Sequence, residues 1–126
     1  MRINDPTVVA EIAGLYERYE RALVTNDAAE LIAMFWESEH AVRFGVTENL
    51  HGHEEIVAFR AARPAANLAR SMERLEIVTF GEDAASVTLE FARTVDGHRV
   101  QGRQSQMWMR LEVGWRIVSA HVSLLP

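Results

Sequence analysis

The chain has 126 residues, of which 48% are hydrophobic and 25% are charged, so it is long enough for one domain with a sizeable core. All 13 basic residues are arginine and cysteine is absent, which excludes a Schiff-base lysine, a cysteine nucleophile and a thiolate metal site. The formal net charge of −5 argues against nucleic acid as the main partner, and no apolar run approaches the ~20 residues of a membrane span. The polar start lacks the apolar core of a signal peptide, and we expect a cytoplasmic protein.

Helical periodicity dominates the first half of the chain. Asp5 followed by Pro6 is a typical helix start, with the aspartate as the N-cap. Ile12, Tyr16 and Tyr19 then recur at helical spacing, which places both tyrosines on or beside one apolar stripe. The other elements predicted for this half are a second helix from Ala28 to about Trp36, a strand over residues 41–45, a loop or short hairpin arm over 46–52 and a third helix over 54–62, ended by Pro64.

The second half follows the period of two that is typical of strands. Val87, Leu89 and Phe91 share one face of a strand, and Asp96-Gly97 predicts a tight hairpin turn. We expect four long antiparallel strands here. Because such a sheet has one face to bury, we predict a single α+β domain over residues 1–126, in which a curved antiparallel or mixed sheet wraps around three helices as an open cone. The mouth of such a cone is a natural pocket for a small ligand.

Arg43 is the strongest candidate for ligand binding. In its strand, Val42 and Phe44 point to one face while Arg43 points to the other, beside the small residues Ala41 and Gly45. A guanidinium with room around it suits a bidentate grip on a carboxylate. The alternative is a structural ion pair, for example with a glutamate of the first helix.

Tyr19 is a candidate proton donor, because it lies on the inner stripe of the first helix and a nearby arginine would lower the pKa of its phenol. The alternative is a core tyrosine whose hydroxyl is satisfied by the backbone. Tyr16 has the same kind of spacing, and periodicity does not separate the two. Arg60 and Arg63 on the third helix could each reach inward, or could act as C-terminal cations that complement the helix dipole.

Two later positions are further candidates. Alternation places Gln104 on one strand face and Arg103 on the other. The Gln104 amide suits a ligand with both donors and acceptors, unless this face is a polar ladder in solvent. His121 is predicted to share a face with Ile117 and to lie at the edge or mouth of the cone, as a structural residue or as a base.

His51-Gly52-His53 resembles a metal motif, but the glycine and the helix start that follows favour a loop, and no third ligand is obvious. The glutamates that follow suit the N-terminus of a helix. The chain also has no phosphate loop, dinucleotide fingerprint or serine nucleophile motif. We therefore expect no bound metal.

Seven segments carry a family resemblance, namely Ile3-Asn4-Asp5-Pro6, Glu17-Arg18-Tyr19-Glu20, Arg43-Phe44-Gly45-Val46-Thr47-Glu48-Asn49-Leu50, Phe59-Arg60-Ala61-Ala62-Arg63-Pro64, Gly102-Arg103-Gln104-Ser105-Gln106, Gly114-Trp115-Arg116-Ile117-Val118 and Ala120-His121-Val122-Ser123. Over nearly its whole length the chain resembles the AtzH-like family, which includes HpxZ-type proteins of oxalurate catabolism. This family belongs to the SnoaL-like group of the nuclear-transport-factor-2-like superfamily. The resemblance implies a cone of nuclear-transport-factor-2-like, or cystatin-like, type with an internal pocket, usually in a dimer.

The resemblance also implies a function in ureido-acid catabolism. The activity assigned to AtzH-like proteins is decarboxylation of dicarboxyurea to allophanate, and the functional tyrosine and arginine of that branch fall on Tyr19 and Arg43. The resulting hypothesis needs no cofactor: Arg43 holds one carboxylate of an N-carboxyurea, and Tyr19 protonates the nitrogen as carbon dioxide leaves. In this hypothesis Gln104 or Asn49 orients the urea amides, and Arg60 or Arg63 holds a second carboxylate.

Two other functions stay open at this point. The pocket could bind a ureido acid without catalysis, for instance as an accessory protein of oxalurate or allantoin catabolism, or the chain could be a structural dimer module with a vestigial pocket. The expected partners are a small anionic ureido or carboxylate ligand and further copies of the chain, as a homodimer or a higher homo-oligomer. We expect neither nucleic acid nor a membrane as partner.

Overall fold

The computed structural model describes residues 1–65 and 68–126. Every element that the sequence predicts is present, and none of the helices in the described ranges is long and apolar enough to cross a membrane. The helices are α1 (Pro6–Val24), α2 (Ala28–Met34) and α3 (His53–Ala62). The strands are β1 (Val42–Phe44), β2 (Asn49–His51), β3 (Ser71–Phe80), β4 (Ala84–Val95), β5 (His98–Leu111) and β6 (Gly114–Leu124).

The helix boundaries follow from local hydrogen bonding. The Asp5 side chain accepts a hydrogen bond from the backbone N–H of Thr7 at 3.0 Å, and Pro6 occupies the first helical position of α1. Helix α2 ends at Met34, two residues before the predicted end. The reason is that Phe35 is extended and forms a parallel bridge with Ile117, which draws the chain into the sheet.

The six strands form one mixed sheet in the order β2-β1-β6-β5-β4-β3. Strand β1 runs parallel to β6, and all other neighbouring strands are antiparallel. The helices cover one face of this sheet, where Ile12 and Tyr16 of α1 are buried together with Trp108 of β5 and Ile117 of β6. The predicted α+β architecture, with a curved sheet around three helices, is confirmed.

A β-bulge in β6 corrects the prediction for His121. Met107 pairs with Ser119 and Trp108 pairs with Ile117, so the residue between the two partners on β6 has no partner of its own. One extra residue moves the following side chains to the opposite face of the sheet. Ile117 is therefore buried while His121 is exposed on the outer face, and the prediction that the two share a face is wrong.

Gly102 of β5 has no side chain, and the Phe91 ring occupies the space where a side chain would lie. A Cβ atom at this position would lie 2.2 Å from Cζ of Phe91, the directly paired residue of β4. The Phe91 ring is itself held in place, because it is 2% exposed and the guanidinium carbon of Arg70 lies 4.3 Å from its centroid. The ring cannot move without disturbing this cation–π contact.

We predict that Gly102→Ala lowers the free energy of unfolding by about 1–3 kcal/mol, because the added methyl group overpacks the Phe91 ring. The matched control is Gly14→Ala in α1, where a Cβ meets no atom within 4 Å. This control raises the free energy of unfolding by about 0.5–1 kcal/mol, because alanine favours the helix. Urea denaturation of both variants measures the difference, and equal stability of the Gly102 variant and the native chain would contradict the packing described here.

Candidate functional site

A cavity of about 560 Å³ opens between the end of α3, the β1–β2 turn and the inner face of the sheet. Its apolar wall includes Phe59 of α3, Phe91 of β4 and Val122 and Leu124 of β6. The described residues contribute to its polar lining four arginines, one glutamate, one threonine and one glutamine, which are Arg43, Arg63, Arg70, Arg93, Glu48, Thr47 and Gln104. The volume is that of a pocket for a small molecule.

The charge of this cavity is opposite to the charge of the whole chain. Glu48 is the one acidic residue that the described part of the lining contains, against four arginines. Arg70 is neutralised by Glu20, which it contacts through two nitrogens at 2.8 Å each. The remaining lining is still positive, although the chain carries a formal net charge of −5. A small anion is therefore the ligand that the electrostatics favour.

Arg43 points into the cavity, as the alternation of its strand predicts. Its side chain is 6% exposed, and its guanidinium carbon lies 5.1 Å from the centroid of the Phe59 ring. Nη1 donates to Oε1 of Glu48 at 2.8 Å, so the ion-pair partner comes from the β1–β2 turn and not from the first helix. Nε of Arg43 is buried and has no hydrogen-bond partner among the described residues. The guanidinium therefore keeps an unsatisfied donor while one edge is paired.

Glu48 reaches Arg43 because Gly45 has no side chain. A Cβ at Gly45 would lie 1.6 Å from Oε1 of Glu48, so the carboxylate occupies the space over this glycine. Oε2 accepts from the Thr47 hydroxyl at 2.7 Å and from the Thr47 backbone N–H at 3.2 Å. Burial raises the pKa of Glu48, but the hydrogen bonds from Thr47 and Arg43 outweigh it and lower the pKa below its usual value. Glu48 is thus ionised at neutral pH.

Tyr19 and Arg60 form a buried pair next to the cavity. Each is 1% exposed, and Nη2 of Arg60 donates to the Tyr19 hydroxyl oxygen at 3.1 Å. Burial lowers the pKa of Arg60 to about 10, which leaves it protonated at neutral pH. Burial raises the pKa of Tyr19, but the charges of Arg60, Arg43 and Arg70 outweigh it and the pKa is lowered.

Tyr16 belongs to a different network, in which its hydroxyl both donates and accepts a hydrogen bond. Its hydroxyl donates to Oε1 of Glu20 at 2.9 Å and accepts from Nε2 of Gln104 at 2.7 Å. Arg70 closes the network, because its Nη2 donates to Oε1 of Gln104 at 3.0 Å as well as to Glu20. Burial, followed by the charge of Glu20, raises the pKa of Tyr16. This tyrosine holds the core together and is not poised to give up its proton.

The structure brings only some of the predicted site residues together. Arg43, Arg63 and Gln104 line the cavity, and Tyr19 and Arg60 lie beside it. Asn49 does not line it, because Leu50 takes the inward position of β2 and leaves Asn49 exposed. His121 also lies outside, on the outer face of the sheet, where its ring packs edge-on against Phe44 at 5.8 Å.

Sequence reasoning missed several residues of this site, which are Glu20, Glu48, Arg70 and Arg93. Glu20 follows Tyr16 by one helical turn, and this spacing could have indicated the hydrogen bond between them. Arg70 precedes β3 in a segment without periodicity, so no signal marked it. Within residues 1–65 and 68–126, no group of three or more histidine, aspartate or glutamate side chains could hold a metal ion.

Comparisons with known proteins agree with this fold. A family model described as AtzH-like matches residues 1–126. A protein of unknown function of the DUF3225 family from Pectobacterium atrosepticum is 48% identical, with a TM-score of 0.94 over 98% of this chain and 95% of that one. A cystatin-like fold protein from Burkholderia xenovorans is 42% identical, with a TM-score of 0.91 over 100% of this chain and 99% of that one. A nuclear transport factor 2-like protein from Salmonella enterica shares the fold at 24% identity and a TM-score of 0.75, over 94% of this chain and 91% of that one. Among the curated proteins, none matches the chain.

We predict that Glu48→Gln strengthens the binding of malonate about tenfold, which corresponds to ~1.4 kcal/mol. The substitution removes the one carboxylate that competes for Arg43 and keeps the shape of the side chain. Isothermal titration calorimetry at neutral pH measures the dissociation constants of the variant and the native chain. Glu82→Gln, in the turn between β3 and β4, removes the same charge outside the cavity lining and leaves the affinity unchanged. An unchanged or weaker affinity of Glu48→Gln would contradict a competition between Glu48 and the ligand.

Proposed function

Because the chain belongs to the AtzH-like family, we propose that its cavity binds a small ureido acid and decarboxylates an N-carboxyurea, such as dicarboxyurea, without a cofactor. The observation that carries the proposal is the surplus of arginine over carboxylate among the described residues that line a cavity of about 560 Å³. Planar guanidinium groups match the geometry of carboxylates, and a dicarboxylate satisfies two of them at once.

The reaction requires one proton and no redox partner. The bond between the urea nitrogen and the carboxylate carbon breaks, its electron pair stays on nitrogen, and carbon dioxide leaves. The nitrogen takes up one proton, so dicarboxyurea plus a proton gives allophanate plus carbon dioxide. A residue that donates this proton as the bond breaks acts as a general acid, which typically accelerates a reaction by ~10²–10⁴.

The cavity residues suit the separate tasks of this reaction. Within the described part of the chain, Nε of Arg43 is buried without a hydrogen-bond partner and Nη1 bonds Glu48, so an incoming carboxylate finds a donor already in place. Arg63, half-buried at the lining, is positioned for a second carboxylate. Gln104 is held by Arg70 and Tyr16, and its amide keeps one N–H for a urea oxygen.

Tyr19 is the proton donor in this proposal. Arginine has only hydrogen-bond donors, so the Tyr19 oxygen accepts from Arg60 and its own hydrogen must point elsewhere. The described residues offer this hydrogen no hydrogen-bond acceptor. Tyr16, by contrast, commits its hydrogen to Glu20. Of the two tyrosines in the chain, Tyr19 is the one with a proton to give.

One observation favours a second candidate function, the binding of a ureido acid without catalysis. Tyr19 is 1% exposed and is not part of the cavity lining, so its hydroxyl does not meet a ligand that stays in the open part of the cavity. In that case the arginines of the lining account for affinity, and Tyr19 contributes nothing to any reaction. The two functions differ in whether carbon dioxide is released.

We predict that the purified chain releases carbon dioxide from dicarboxyurea and that Tyr19→Phe lowers kcat by ~10²–10⁴ with little change in the affinity for malonate, because the proton donor is lost while the arginines of the lining remain. Substrate and product are followed by carbon-13 NMR. Arg103→Gln is the control, since Arg103 lies on the outer face of β5 and bonds Ser123 there. Binding of dicarboxyurea without carbon dioxide release by the native chain would establish the non-catalytic function instead.

A further inference from the structure

The two tyrosines of the chain are neighbours on α1 and differ in the hydrogen bond that each hydroxyl group donates. Their ring centroids are 5.7 Å apart, and both rings are buried. The Tyr16 oxygen accepts from Gln104, and its hydrogen goes to Glu20. The Tyr19 oxygen accepts from Arg60, and its hydrogen has no acceptor in the described part of the chain. The difference between them therefore lies in the partner that each phenol faces.

Arg60 is an unusual partner because it makes no hydrogen bond to a carboxylate within the described residues. Nη2 bonds the Tyr19 oxygen, while Nε and Nη1 are buried without a hydrogen-bond partner there. Its guanidinium carbon lies 5.7 Å from the centroid of Phe59, the ring that also packs against Arg43. A buried cation needs compensating negative charge, and among the described residues the phenol oxygen is the one acceptor to which Arg60 is hydrogen bonded.

We propose that Arg60 is a positioning residue for Tyr19: its guanidinium holds the phenol oxygen beside the cavity and leaves the hydroxyl hydrogen for the bound anion. The role in proton transfer rests on the proposed function. The relation between Arg60 and Tyr19 does not, because the ionisation of Tyr19 is measurable without any turnover. Arg60 acts through Tyr19 and needs no contact with the reacting atoms.

The charges around Tyr19 fix the direction in which a ligand acts on it. The groups that face it are Tyr16 and Glu20 of α1, Arg43 of β1, Arg60 of α3 and Arg70 before β3. Three of these are cations, and together they favour the ionised phenol against the effect of burial. An anion bound at Arg43 opposes these cations, so it raises the pKa of Tyr19. Binding of the anion thus favours the protonated phenol, which is the form that can donate a proton.

Ultraviolet titration of tyrosinate absorbance tests this inference on the intact protein. The chain has two tyrosines, and burial raises the pKa of Tyr16, so we expect Tyr19 to ionise first and in a separate step. Tyr19→Phe removes the early step and identifies it. Arg60→Gln shifts the midpoint of the early step upward by about one pH unit or more, since one unit is a tenfold change in the ionisation constant. Arg60→Lys keeps a cation and shifts it less.

Saturating malonate supplies a second test that needs no substitution at Arg60. In the native chain it raises the midpoint of the early step, and in the control Arg103→Gln it does the same. A midpoint that stays unchanged in folded Arg60→Gln, or that malonate does not move in the native chain, would overturn the inference. Circular dichroism establishes whether each variant is folded, and the malonate test on the native chain decides the matter if Arg60→Gln does not fold.

The outcome also separates this inference from the proposed function. Suppose that the Tyr19 midpoint shifts in Arg60→Gln and with malonate, but the protein releases no carbon dioxide. The Arg60–Tyr19 relation is then supported, and the decarboxylase activity is contradicted. If the protein releases carbon dioxide but the Tyr19 midpoint is the same in Arg60→Gln, the decarboxylase activity is supported and the Arg60–Tyr19 relation is contradicted. If both hold, the pH profile of kcat shows an alkaline limb that follows the Tyr19 midpoint and moves with Arg60→Lys.

Discussion

Buried guanidinium groups require negative charge, and this requirement organises the molecule around its cavity. Arg70 meets it through Glu20 and Arg43 meets it in part through Glu48, whereas Arg60 finds only a phenol oxygen among the described residues. The pairing of the guanidinium group with negative charge becomes less complete from Arg70 to Arg43 to Arg60. The first is a structural ion pair, while the other two leave buried nitrogen donors without partners in the described part of the chain. In the proposed function a bound anion supplies what these side chains lack, and the surplus of cation is the basis of its selectivity.

One hydrogen-bond network holds the core, and its member Gln104 also lines the cavity. Tyr16, Glu20, Arg70 and Gln104 join α1 to the start of β3 and to β5 in one closed network, which fixes the inner face of the sheet. The glycine at Gly45 allows Glu48 to close over Arg43 from the β1–β2 turn. The network thus supports one side of the cavity, while Glu48, the carboxylate proposed to compete with a ligand, lies on a turn.

The elements were predictable because hydrophobic periodicity and turn residues act locally, as at the Asp5 cap and the Asp96-Gly97 turn. The inward direction of Arg43 followed from strand alternation in the same way.

The bulge in β6 was not predictable, since nothing in the sequence marks the residue that loses its pairing, and it reversed the face of His121. Alternation also could not tell that β2 turns Asn49 outward, and helical spacing could not distinguish Tyr16 from Tyr19. Their difference depends on Glu20, which lies one helical turn from Tyr16, and on Arg60, which is distant in sequence and meets Tyr19 only in the folded chain.

The central claim is that Arg43 anchors an anion in the cavity, and a calorimetric titration of malonate into three proteins tests it most directly. The titration compares the native chain with Arg43→Gln and Arg103→Gln at low and at moderate salt. The two variants carry the same net charge, and they differ in whether the inner or the outer face of the sheet loses an arginine. The account predicts that Arg43→Gln weakens malonate binding at least tenfold, about 1.4 kcal/mol, while Arg103→Gln leaves it unchanged. Equal affinities for the two variants would contradict it.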